Sequence, residues 1–229
     1  MARKIAIIGL GDFGRNLAKH LMEKGAEVLA IDDDFEIIEE IKDSVTIAVR
    51  LDSTDERSLK AQGIQEMDAV VVSIGQEFEN SLLTIMNLLK LGVKKIVARA
   101  TSPTHKIIFE KIGVHNVISP EEETAVKLAS SLIHEDVIEW INLGSEFNIV
   151  YLEAPKSFVG KTLQELDLRT RFNINLVTIK RTVKVLNPRT NQEEIKERII
   201  GVPTPGTVIE GGDILIVFGR EKDISKVIE

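Results

Sequence analysis

"IGLGDFGRNLAKHL", residues 8–21, decides the fold class of this chain. Gly9, Gly11 and Gly14 hold the G-x-G-x-x-G spacing, directly after the apolar run "KIAIIG" (4–9) and at the head of an amphipathic segment. The first glycine permits a tight turn and the second lets backbone amides approach a phosphate. The third lets the helix pack closely on the strand, and the helix N-terminus favours an anion. Alone the spacing is a weak signal. Its context strengthens it, because the next apolar run, "EVLAID" (27–32), ends in Asp32, 18 residues beyond Gly14. A carboxylate there can bond ribose hydroxyls and disfavours a 2′-phosphate, hence NADP.

The same rhythm continues outward. "VTIAVRLD" (45–52), "DAVVVSIG" (68–75), "KIVARA" (95–100) and "HNVIS" (115–119) are short, mostly β-branched runs that suit strands buried on both faces of a parallel sheet. Between the strands lie helical patterns such as "FEIIEEIKD", "ERSLKAQG", "NSLLTIMNLLKLG" and "PTHKIIFEKIG". Several end in glycine, a frequent helix stop. Six β-α repeats predict an α/β fold, a Rossmann-type doubly wound sheet over residues 1–120. "EEETAVKLASSLIHEDVIEWINL" (121–143) opens with three acids, which suit a helix N-terminus, and keeps an apolar face throughout. It is expected to form one long crossover helix, available to dock on a second subunit. From there to residue 229 the rhythm changes. "FNIVYLEAP", "NINLVTIKR" and "DILIVFGR" read as strands and "GKTLQELDLRTRF" as a short helix with a turn, so residues 144–229 make a small α+β domain.

Composition limits what such a protein does. No cysteine occurs among its 229 residues, which excludes disulfides, thiolate metal sites and cysteine nucleophiles. No apolar run approaches the roughly 18 residues of a membrane span, and "MARKIAIIGLG" reads as a strand rather than a secretory segment. Residues 1–143 carry 24 acids against 16 bases, and residues 144–229 carry 12 against 13. Neither part has a basic stripe, so nucleic acid is not an expected partner.

Ligands of doubly wound sheets sit off the carboxyl ends of the strands. Those ends supply Asp32, Asp33 and Asp34, then Asp52 and Ser53, Ile74 and Gly75, Arg99, and Glu121. Asp52 can accept from an adenine amino group or cap the helix of "STDERSL". Ile74 and Gly75 can line an adenine slot, and Arg99 is the cation nearest the phosphates. Asp33 and Asp34 suit caps of the following helix.

Taken together, "IIGLGDFGRNLAKHL", "VLAIDDD", "LDSTDERSLKAQGI", "VVVSIGQEFENSLLT", "KIVARATSPTHKIIFEKIGVHNVISPE" and "PGTVIEGGDILIVFG" resemble the RCK family, the regulators of potassium conductance. The likeness is to the TrkA/KtrA-type cytosolic subunits of Trk and Ktr potassium transport systems, and it covers nearly the whole chain. It implies a nucleotide-sensing RCK_N domain, a C-terminal RCK_C domain, and dimers that assemble into tetramer or octamer rings. Such rings lie against a membrane-embedded Trk/Ktr potassium channel subunit at the inner face of the cell membrane. By position, the resemblance puts Gly9, Gly11, Phe13 and Gly14 at the phosphates and Asp32 at the ribose. Asp52, Ser53, Ile74 and Gly75 fall near the base, and Arg99 and His105 on the phosphate side. Glu121 matches an acid at a divalent-cation site between subunits, for Mg²⁺ or Ca²⁺. ATP and ADP are the implied regulatory ligands, with NAD(H) and AMP open. Some relatives bind cyclic di-AMP in the C-terminal domain, for which Arg169, Arg171 and the prolines of "GVPTPG" are loose candidates here.

One residue departs from the family pattern. Asp12 stands between the second glycine and the phenylalanine, where a carboxylate repels a triphosphate unless Arg15 or a cation compensates. The rival reading is an NAD-dependent oxidoreductase, which needs an acid–base residue over a substrate pocket. His20, His105, His115 and His134 sit in no recognisable catalytic motif, and only His105 falls near the expected ligand. A DNA-binding redox sensor is disfavoured by the acidic balance.

Overall fold

The computed structural model describes residues 2–75, 77–133, 137–186 and 193–228. The chain divides into two compact units, Met1–Glu122 and Glu123–Glu229.

The first unit alternates strand and helix as its periodicity predicts. The order is β1 (Lys4–Ile8), α1 (Asp12–Glu23), β2 (Glu27–Asp32), α2 (Phe35–Ile41), β3 (Ile47–Arg50) and α3 (Glu56–Ala61). Then follow β4 (Ala69–Val72), α4 (Phe78–Lys90), β5 (Ile96–Arg99), α5 (Pro103–Lys111) and β6 (Asn116–Ile118). The six strands are parallel, in the order β3-β2-β1-β4-β5-β6. This is the Rossmann order, and the chain reverses its direction of travel between β1 and β4. The central strands are buried on both faces: Ala6, Ile7, Ala30, Ile31 and Val70 are fully inaccessible. The edge strand β3 is not, and Ile47 is 54% exposed.

The expected single helix over 121–143 does not form. Helix α6 covers Pro120–Ile133, and Val137–Asn142 is instead a strand, β7. "VIEWIN" is as β-branched and aromatic as it is amphipathic, so periodicity alone does not decide its state. Tertiary pairing does. Val137 sits opposite Leu152 in an antiparallel ladder and is 3% exposed. His134, placed by the sequence reading in that helix, lies outside the described residues.

The second unit continues with β8 (Phe147–Glu153), α7 (Leu163–Leu166), α8 (Leu168–Phe172), β9 (Asn175–Leu186), β10 (Glu193–Ile199), β11 (Ile214–Arg220) and α9 (Glu221–Ile228). Its strands form an antiparallel sheet in the order β10-β9-β11-β8-β7. Val150, Ile179, Leu215 and Val217 fill the core from the sheet, and Leu166, Leu168, Ile224 and Val227 from the helices. A capping box between Thr162 and Glu165 starts α7. Neither β10 nor α9 was expected from the sequence.

No helix among the described residues is long and apolar enough to cross a membrane.

Candidate nucleotide site

A cavity of about 810 Å³ opens at the carboxyl ends of the first unit's strands, around the point between β1 and β4 where strand order reverses. Ligand cavities of roughly 300–1,000 Å³ are usual, and this position is where doubly wound sheets bind.

The glycine loop builds one wall. Gly9 has φ +89°, a left-handed conformation that favours glycine, and a β-carbon there would lie 2.8 Å from the Ile74 amide nitrogen. Ser73, buried beneath the loop, donates its hydroxyl to the Gly9 carbonyl at 2.5 Å. A β-carbon on Gly14 would fall 2.1 Å from that same carbonyl, so this glycine sets the approach of α1 to β1. Gly11 differs. A β-carbon there meets nothing within 4 Å, and no side-chain bond caps the helix that Gly11 heads. The first N–H groups of α1 have no partner within the helix and are available to an anion.

Asp32 lines the cavity beside the loop and is held by the backbone. Its Oδ2 accepts from the Leu10 amide at 2.6 Å and its Oδ1 from the Asp34 amide at 3.0 Å. Each oxygen keeps a further lone pair, so the carboxylate is oriented without being used up. Asp34 caps α2 by accepting from the Glu36 amide, whereas Asp33, the other expected cap, offers its carbonyl to Arg50. Asp52 lines the cavity with Oδ1 turned to the Thr54 amide and hydroxyl, and it is Asp55 that caps α3. Ser53 also lines it, but its hydroxyl bonds Thr84 at 2.7 Å. Ile74, Gly75, Phe13 and Asp33 also lie along the walls, and Gly14 does not.

Arg99 reaches the cavity from the end of β5. Its guanidinium lies 5.6 Å from the centre of the Phe13 ring and forms an ion pair with Glu121, which also lines the cavity. Partial burial works against the Glu121 charge, but the backbone and the Arg99 guanidinium outweigh it and hold the carboxyl below its ordinary range. Arg99 Nε is buried and has no hydrogen-bond partner among the described residues. Asp12, at the first position of α1, pairs with Arg15 at 2.9 Å, and the same guanidinium also pairs with Glu40 at 3.0 Å.

His105 is placed differently from the other expected side chains. It does not line the cavity. Its ring stacks on Phe78 with centroids 4.1 Å apart, its Nδ1 lies 3.0 Å from the Thr101 hydroxyl, and its amide bonds the capping Ser102. These contacts commit the side chain to the start of α5.

The comparisons with known proteins follow this geometry. Residues 5–120 match the TrkA-N domain family. Across 226 residues the chain is 36% identical to Ktr system potassium uptake protein C of Bacillus subtilis, covering 99% of this chain and 96% of that one. The chain belongs to the RCK family, as a TrkA/KtrA-type subunit. Ktr system potassium uptake protein A of the same organism is 32% identical over 98% of this chain and 95% of its own. Among solved structures, the GsuK channel bound to NAD superposes with a TM-score of 0.65 at 14% identity, a likeness of fold. It covers all of this RCK chain, which spans 40% of the GsuK chain.

Leu10, Ser73, Glu77 and Asn80 also line the cavity and were not singled out from the sequence. Leu10 contributes through its amide and Ser73 through a hydroxyl under the loop, roles that no side-chain pattern announces. In the second unit, Arg169 bonds Asn175 at 2.8 Å, and Arg171 lies over its neighbour Phe172.

Proposed function

We propose that this RCK chain is the nucleotide-sensing regulatory subunit of a membrane potassium uptake system. An adenine nucleotide fills the cavity, with phosphates on the first turn of α1 and ribose on Asp32. The observation that carries this reading is one cavity lined by both the uncapped start of α1 and a carboxylate already oriented by two backbone amides. The Ktr names of its relatives support the potassium system, and NAD on the GsuK channel supports a nucleotide in an RCK fold. ATP and ADP are the proposed regulatory ligands, with NAD(H) and AMP as competitors. The chain would assemble into dimers and then rings on the cytoplasmic side of a Trk/Ktr channel subunit. The ligand acts through different affinities for two ring conformations, since a ligand shifts an equilibrium only by that difference. Cyclic di-AMP at the second unit is part of the same reading, with Arg169 and Arg171 as its candidates.

Calorimetry of the purified protein with ATP, ADP, AMP, NAD and NADH tests this. Two charge-assisted bonds to ribose, each worth roughly 1.5–3 kcal/mol, disappear in Asp32→Ala, so every adenine ligand should weaken by about a hundredfold or more. Unchanged affinities in a folded Asp32→Ala protein would remove the proposed pocket.

Glu121 is the proposed ligand for Mg²⁺ or Ca²⁺ where two copies meet. One carboxylate suits a hard cation but does not fill its shell, and no group of three candidate ligands occurs among the described residues. A partner's carboxylate, water or phosphate oxygen must supply the rest, and Glu121, whose Oε1 pairs with Arg99, would offer its Oε2. Divalent-cation titration of the ATP-loaded assembly should lose its response in Glu121→Gln and keep it in Glu122→Gln and Glu123→Gln. An equal response in all three variants would assign these acids to the helix dipole instead.

A further inference from the structure

We infer that Asp12 is a specificity residue of the cavity, turning it away from free triphosphates and toward adenine ligands with fewer phosphate charges. The inference rests on the reading of this cavity as an adenine-nucleotide site. The first turn of α1 offers uncapped backbone N–H groups, the donors a diphosphate would use. Asp12 is the first residue of that turn, lines the cavity, and has a side chain 95% exposed. An anion that reaches the amides therefore arrives beside a carboxylate.

The neighbouring cation does not cancel this charge. Arg15 places Nη2 at 2.9 Å from Asp12 and Nη1 at 3.0 Å from Glu40. One guanidinium is shared between two carboxylates, and the triad keeps a net negative charge. The remaining walls have the same sign. Among the described residues, seven carboxylates and one guanidinium line the cavity, and that guanidinium, Arg99, is already paired with Glu121. No cation is left over for the outer phosphates of a triphosphate.

The penalty grows with ligand charge. A dinucleotide such as NAD carries two charges on its diphosphate bridge, whereas free ATP carries about four near neutral pH, its terminal group having a second pKa of about 6. At separations of a few ångström, each added charge meets a repulsion that water and salt screen only in part. Asp12 thus opposes ATP more than ADP, and ADP more than NAD.

Calorimetry with NAD, ADP and ATP, in a chelator and at low salt, tests this on the full chain. The wild-type protein should bind NAD and ADP more tightly than free ATP. Asp12→Asn keeps a polar residue at the helix start and removes the charge. It should tighten ATP about tenfold while NAD changes by less than about twofold, as expected for removing one repulsive charge in a partly screened site. Arg15→Gln should weaken ATP, and that effect should shrink in the Asp12→Asn background if Arg15 acts by neutralising Asp12. An undiminished Arg15→Gln effect would overturn the triad. If all three ligands bind but Asp12→Asn leaves the ATP-to-NAD ratio unchanged, the inference fails and the nucleotide site stands. If none binds the wild-type protein, both fail.

Discussion

Gly14→Ala and Gly11→Val are expected to fail in opposite ways, the first in folding and the second in binding. At Gly14 the added carbon would sit 2.1 Å from the Gly9 carbonyl and 2.9 Å from the Ser73 hydroxyl. The first neighbour is backbone, so no side-chain rotation relieves it, and α1 must move off β1. Alanine gains about 1 kcal/mol of helix propensity over glycine, but overpacking of this kind costs about 1–3 kcal/mol and more where backbone is struck. The clash wins, and melting of the first unit should fall by several degrees. At Gly11 an added β-carbon has no non-neighbouring protein atom within 4 Å, and the backbone, at φ −60° and ψ −175°, is open to any residue. Valine is a poorer N-cap than glycine by a few tenths to about 1 kcal/mol, so the fold should survive. The ligand should not. Amide bonds to a phosphate are worth about 1.5–3 kcal/mol each, and losing two weakens binding by about a hundredfold or more. Thermal melts and nucleotide calorimetry on the two variants separate the effects. Full affinity in Gly11→Val would detach the glycine loop from the ligand.

These two glycines also show how much of the site was legible in the sequence. Their spacing after a strand names the loop, because turn, approach and packing each demand a missing side chain at a fixed position. Asp32 is legible for the same reason: it ends the next strand, and its neighbour in the sheet is the strand that feeds the loop. What spacing does not carry is the competition among local hydrogen bonds. Asp34, Asp52 and Asp55 are chemically alike, and all three lie where a strand end meets a helix start. The sequence offers Asp33 and Asp34 alike as caps of α2 and Asp52 as a cap of α3; the structure gives those caps to Asp34 and Asp55, while Asp52 folds back on Thr54. Nor does spacing show that the His105 ring stacks on Phe78.

The helix expected over 121–143 failed for a different reason. Its residues satisfy a helical and an extended pattern together, and the choice falls to partners far along the chain, since Trp140 pairs with Val150 and Ile141 with Ile149. A sheet whose order is β10-β9-β11-β8-β7 places β11 between strands that precede it. Such pairing leaves no short-range signature. The exposed edge strand β10, with Ile195 at 73% and Ile199 at 53% exposure, likewise lacks the buried face by which strands are usually recognised.

Asp213→Ala should unfold the second unit far more readily than any exposed charge removal. The side chain closes the turn "EGGD" ahead of β11 and is fully inaccessible. It accepts from Arg181 Nε and Nη2 at 2.7 Å each and from the Glu210 amide at 2.8 Å. Arg181 also donates to the Val208 carbonyl at 2.9 Å and pairs with Glu210, so one guanidinium ties β9 to the turn and to the segment before it. The pair is a weak source of net stability, because both ions were taken from water to form it. Breaking it is another matter. Alanine leaves a guanidinium only 16% exposed without its buried counter-charge, and leaves the Glu210 amide without its acceptor. Removing one partner of a buried pair costs about 3–5 kcal/mol, and the remaining Glu210 contact places this case toward the lower end. Trp140, the one tryptophan of the chain, stands in β7 of the same unit and reports its unfolding by fluorescence in urea. The Asp213→Ala midpoint should fall accordingly. Adding Arg181→Met should recover part of the loss, because an apolar side chain in place of the orphaned charge restores a neutral core. A single variant within about 0.5 kcal/mol of wild type, the range of an ordinary surface substitution, would show that the turn holds without its ion pair.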